Sequence, residues 1–88
     1  MTKTRNLKFY ADPGHGWLEV PREDLDALKI RDQISGCSYA GSGKVYLEED
    51  CDANVYMGAA IAAGIHVKSE YQHTNEDSFI RSLPQFRA

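Results

Sequence analysis

The sequence predicts an α+β fold: a single domain over residues 1–88, with a mostly antiparallel sheet of about five strands and an apolar helix packed on one face. Three observations lead there. Short stretches alternate apolar and polar residues with a period of two, as half-buried strands do. Glycine and proline punctuate the gaps between them. The segment Ala53–Ala63 carries no charged residue and runs into Gly64, so it reads as a helix ended by a C′ glycine.

Taken in order, the elements read β-β-α-β-β-α-β-α. Leu7, Phe9 and Ala11 alternate with Lys8, Tyr10 and Asp12 in a first strand. Asp12-Pro13-Gly14-His15-Gly16 follows, with Pro13 and Gly14 suited to the centre of a type II turn. Trp17–Val20 returns as a second strand with Leu18 and Val20 inward. Pro21 ends it and opens a short helix over Arg22–Leu28, whose acids come early and whose apolar residues are Leu25 and Leu28. Ile30 packs just after it, and Arg31–Gln33 is a polar connection. Ile34–Tyr39 and Lys44–Glu49 read as the third and fourth strands, joined by Ala40-Gly41-Ser42-Gly43.

The acids Glu48, Glu49, Asp50 and Asp52 read first as a helix entry. Asp50 or Asp52 can accept from the free N–H groups there, and their charge complements the helix dipole. The helix itself is apolar nearly all round: Val55, Ala59 and Ala62 on one side, Met57 and Ile61 on the next, Tyr56, Ala60 and Ala63 on another. That pattern predicts burial on more than one side. Either the helix is simply the core element on the sheet, or its second side meets another copy in a homo-oligomer or a partner. Ile65, Val67, Ser69 and Tyr71 then alternate with His66, Lys68, Glu70 and Gln72 in a fifth strand. Thr74 or Asn75 caps a last short helix with Phe79, Ile80 and Leu83 on its apolar side. Pro84 stops it, leaving a tail expected to fray unless Phe86 docks. Nothing in the sequence orders the strands.

The formal net charge is −3. This argues against direct nucleic-acid binding driven by phosphate contacts and leaves basic protein surfaces open as partners. No apolar run approaches the ~20 residues that span a bilayer. The polar start Met1–Asn6 lacks a signal-peptide core, so the cytosol is expected. There Cys37 and Cys51 are expected reduced, and both read as buried thiols. No CxxC spacing suggests zinc, and no cofactor is expected.

Several groups carry residue types that can do chemistry. Gly14-His15-Gly16 exposes a histidine, a residue that titrates near neutrality, on a tight loop. His66 and His73 fall on opposite faces of a regular strand and cannot share an ion there. Asp50-Cys51-Asp52-Ala53-Asn54 begins like a calcium loop but has Val55 where glycine is required. Gly41-Ser42-Gly43-Lys44 lacks the leading glycine and the following Ser or Thr of a phosphate loop. Cys51 sits at a helix start, which favours a thiolate, but acids flank it. No catalytic grouping assembles by motif, so catalysis is not expected. The outward rings are the stronger lead. Tyr10, Trp17 and Tyr46, with Tyr39, beside Glu48, Glu49 and Asp50, read as a binding surface. The competing reading is that the first and last helices cover those rings.

Two segments together, Phe9–Pro21 and Cys37–Tyr39 through Val45–Ala53, resemble a group of short accessory proteins of bacteriophages and prophages. The resemblance implies a viral protein acting in the host bacterial cytoplasm, and it brings no site residues. Small phage accessory proteins commonly bind and block a host machine, an analogy at the level of class. The leading expectation is thus a non-enzymatic protein that inhibits or redirects a host factor such as a defence system. An alternative is an oligomer sequestering a small nucleotide ligand, with His15 and Tyr39 at a pocket rim. A further alternative is a small enzyme using His15 or His66.

Overall fold

The computed structural model describes Lys3–Ala88. It is an α+β domain with the elements β1 (Lys3–Ala11), β2 (Gly16–Pro21), α1 (Arg22–Ala27), β3 (Tyr39–Gly41), β4 (Lys44–Glu48), α2 (Asp52–Ala62) and β5 (Ile65–His73). Short 3₁₀ turns occupy Arg31–Gln33 and Phe79–Ser82. The sheet order is β3-β4-β2-β1-β5. Hairpins make the pairs β1–β2 and β3–β4 antiparallel, and β4 lies antiparallel to β2. The α2 crossover carries the chain back, so β5 runs parallel to β1 at the opposite edge.

The strand pleat divides the side chains between two cores. Leu7, Leu18, Val20, Val45 and Leu47 face α1 and α2, where they meet Leu25, Ile30, Ile34, Tyr56 and Ala60. Each such large apolar side chain contributes about 1.5–3 kcal/mol of burial. Trp17 and Tyr46 face the other way, packed with Ile80 and flanked by Tyr10, Tyr39 and Leu83. Residues 74–88 form a strap across this second face. Thr74 N–H donates to the Ala11 carbonyl at 3.0 Å. At the far edge Ala40 N–H donates to the Pro84 carbonyl and Phe86 N–H to the Ser38 carbonyl, at 2.9 and 2.8 Å. Gln85 thereby bridges Tyr39, and Phe86 turns round the edge into the first core. The Arg22 guanidinium lies over the Phe86 ring.

Several expectations are corrected. β1 begins at Lys3 because β5 pairs with it along its whole length, from Lys3–Ile65 to Ala11–His73. The third strand is only Tyr39–Gly41; residues 34–38 form a loop because Ser35 and Ser38 are drawn to a buried carboxylate. Ser42 and Gly43 both have positive φ, 52° and 77°, the pattern of the tight hairpin turn. The N-cap of α2 is Cys51, and it makes no side-chain cap bond. Asp52 is instead turned into the protein. Gly64, φ 76°, ends the helix as the sequence predicts. The helix is buried along one face only, through Asp52, Ala53, Tyr56 and Ala60. Its opposite stripe of Asn54, Gly58, Ile61 and Ala62 is open, with Ile61 70% exposed. The last helix is a single 3₁₀ turn capped by Ser78, whose hydroxyl accepts from Ile80 N–H. The tail beyond it is docked by the strap contacts. Cys37 is exposed and Cys51 half-buried, so neither is the buried thiol expected.

Candidate functional site

The β1–β2 loop and the β4–α2 loop meet at one end of the sheet. Each is pinned from beneath by a buried aspartate. Asp12 Oδ1 accepts the N–H groups of Gly14 and His15, both at 3.0 Å. Its Oδ2 accepts Ser78 N–H at 2.9 Å, and Arg81 donates to both oxygens, Nε at 2.6 Å and Nη2 at 2.9 Å. The Arg81 guanidinium, then these backbone donors, hold the Asp12 carboxyl far below the usual carboxylate range against the opposing effect of burial. The loop's glycines serve close approach rather than positive φ, which corrects the type II turn. A Cβ on Gly16 would lie 2.6 Å from the Phe9 ring, and one on Gly14 2.8 Å from Arg81 Nη2.

Asp52 plays the matching part under the second loop. Its Oδ2 accepts Ser35 N–H at 3.0 Å, the Ser35 hydroxyl at 2.9 Å and the Ser38 hydroxyl at 2.6 Å. Ser38 Oγ in turn accepts Glu48 N–H at 3.2 Å, so one carboxylate ties the start of α2 to the end of β4. Cys51 Sγ lies 3.5 Å from Ser35 Oγ. The Ser35 hydroxyl favours the thiolate, but the Cys37 thiol, burial and the Asp52 charge outweigh it and push the Cys51 thiol up.

On this base the two loops interlock. Glu49 N–H donates to the Gly16 carbonyl at 2.9 Å. Glu48 Oε1 lies 3.4 Å from His15 Nδ1, while its Oε2 accepts Asp50 N–H at 3.0 Å. Glu49, Asp50 and His15 are exposed, and Glu48 is half-buried between them. The result is a fixed acidic rim built from two distant parts of the chain.

The rings divide differently. Trp17 is 2% exposed and Tyr46 6%, so they are second-core residues beneath the strap, and the open aromatic surface expected of them is corrected. Tyr10 and Tyr46 hold the Phe79 ring edge-on, with centroids 5.3 and 5.7 Å away. Burial and then the neighbouring Glu19 push the Tyr46 phenol above its ordinary range. Tyr39 is half-buried with its ring 6.3 Å from Trp17. Arg81 stacks on Trp17 at 5.4 Å, and the indole Nε1 has no hydrogen-bond partner among the described residues. Of the sequence-predicted site, the structure therefore brings His15, Glu48, Glu49 and Asp50 together at the surface. It places Trp17, Tyr39, Tyr46 and Tyr10 under or beside the strap.

A groove of about 560 Å³ opens elsewhere, between the start of β1, α1 and the end of α2, lined by Lys3, Arg5, Asp24, Leu28, Ala63 and Ile65. Arg5 donates to Asp24 at 2.9 Å there, and the buried Tyr56 hydroxyl donates to the same carboxylate at 2.8 Å. His15 and Tyr39 do not line it. Sequence reasoning missed Asp12, Asp52 and Arg81 as the groups that fix the rim. Asp12 stands before a Pro-Gly pair, where an aspartate capping its own turn could have been suspected. It also missed Tyr71, 65% exposed on β5 and stacked on Phe9 and His73. Among the described residues, no group of three or more His, Cys, Asp and Glu is placed to hold a metal ion. Comparison with known proteins found no matching family model, no similar curated protein and no similar solved structure.

Proposed function

We propose that this chain is a non-enzymatic phage accessory protein that binds a host bacterial protein, such as a defence factor, through its acidic rim and so inhibits or redirects it. The observation that carries the reading is the rim's construction. Two buried aspartates, Asp12 and Asp52, hold two loops in one arrangement, and the residues so fixed are exposed acids and a histidine. Loops held rigid before contact lose little entropy on binding, which is how a small surface gains affinity. A fixed array of negative charge selects a basic partner and speeds its approach.

The test is retention of host protein from lysate by the native chain and by Glu49→Lys/Asp50→Lys, both positions being exposed. A basic protein is expected to be retained by the native chain, released as salt is raised, and lost by the variant. The same proteins retained by both chains would contradict it.

A further inference from the structure

The two edges of the sheet are treated differently. At β3 the strap supplies backbone partners through Pro84 and Phe86. At the other edge β5 runs for nine residues with, among the described residues, a neighbouring strand on one side only. At ~3.3 Å per residue this leaves about 30 Å of strand with outward backbone groups facing water. Such an edge either is blunted or receives another strand.

The side chains of β5 choose the partner. Val67, Ser69 and Tyr71 lie on the α2 side of the sheet, beside Arg5, Leu7 and Phe9 of β1. His66, Lys68, Glu70 and Gln72 lie on the other side. Set antiparallel to itself about Ser69, this strand is its own complement. Lys68 falls opposite Glu70 on both sides of the axis, Val67 opposite Tyr71, and His66 opposite Gln72. Opposite charges and a β-branched residue facing a ring are favoured cross-strand pairs. The adjacent registers that keep the same faces together place Lys68 on Lys68 or Glu70 on Glu70. A one-residue slip sets the apolar side against the charged side. In-register parallel self-pairing sets Lys68 on Lys68 and Glu70 on Glu70, and a shifted parallel pairing does not close with two copies. The strand's charge pattern thus selects one register.

We infer that β5 pairs antiparallel with β5 of a second copy, making one continuous sheet across a two-fold axis at Ser69. The axis stands perpendicular to the sheet, so both α2 helices and both Phe9–Tyr71 stacks lie on the same side of it. The contact is isologous and closes with two copies. It uses the strand edge and leaves the acidic rim of each copy free, so the dimer presents two rims.

The test is charge exchange read by native mass spectrometry and light scattering, with circular dichroism to verify folding. Lys68 and Glu70 are both exposed, so their substitution leaves the cores untouched. The native chain is expected to be dimeric. Lys68→Glu and Glu70→Lys, each alone, face like charges twice across the axis and raise the dimer dissociation constant by about tenfold or more. The double variant in one chain restores the dimer, and mixing the two single variants yields the heterodimer. A folded native chain that stays monomeric would overturn the proposal, leaving the charges as a blunted edge. So would single variants that dimerise like the native chain, which would place the contact elsewhere, for instance on α2. A double variant that stays monomeric would overturn the register.

Discussion

At the scale of single residues, two aspartates decide where the surface stands. Asp12 takes five hydrogen bonds, from Gly14, His15, Ser78 and twice from Arg81, and its charged form is strongly favoured in the fold. A carboxyl whose folded pKa is depressed contributes stability above its unfolded value, about 4, and loses it as the pH falls. Asp12→Asn is therefore expected to melt well below the native chain at neutral pH. The native Tm should fall more steeply below about pH 4, so the two chains converge in acid. Thermal melts across that range check this; a gap independent of pH would contradict it. Little of this role was legible in the sequence. A capping aspartate before Pro13-Gly14 is a local signal, but its partners Ser78 and Arg81 lie sixty-six and sixty-nine residues away. Asp52 misled in the opposite way. Its place in the first turn of a helix suggests a cap, whereas Ser35 and Ser38, seventeen and fourteen residues earlier, draw it inward.

At the scale of elements, alternation and glycine were readable, and partners were not. The period of two located β1, β2, β4 and β5, because half-burial writes itself into neighbouring residues. It failed at residues 34–38, where apolar Ile34 and polar Ser38 are both buried in a loop. Helical spacing overextended the last helix, since Phe79, Ile80 and Leu83 fit a helix but serve a strap held at Ser78 and Arg81. For α2 an apolar circumference predicted two-sided burial, yet the sheet covers only one side. This leaves Gly58 in mid-helix on the open stripe, with nothing among the described residues beyond the helix's own backbone and its chain neighbours within 4 Å of a Cβ built there. Gly58→Ala is accordingly expected to stabilise the fold by about 0.5–1 kcal/mol, measured by chemical denaturation. A loss of stability would mean that the outer stripe is packed after all.

At the scale of the whole molecule, one sheet carries two cores, one under α1 and α2 and one under the strap, and this explains where the free surface lies. The strap takes Trp17 and Tyr46 out of play, closes the β3 edge and leaves β5 open. Strand order decided these outcomes, and strand order is a property of contacts far apart in sequence. The rim was legible as residue types, His15 and Glu48–Asp50, but their meeting at one end of the sheet was not. Site-specific photo-crosslinking in host cells asks whether the proposed rim of His15 and Glu48–Asp50 is the contact surface. A photoreactive residue at position 49 is expected to capture a basic host protein, while one at position 61, on the open stripe of α2, is not. Capture from position 61 with none from position 49 would contradict the account.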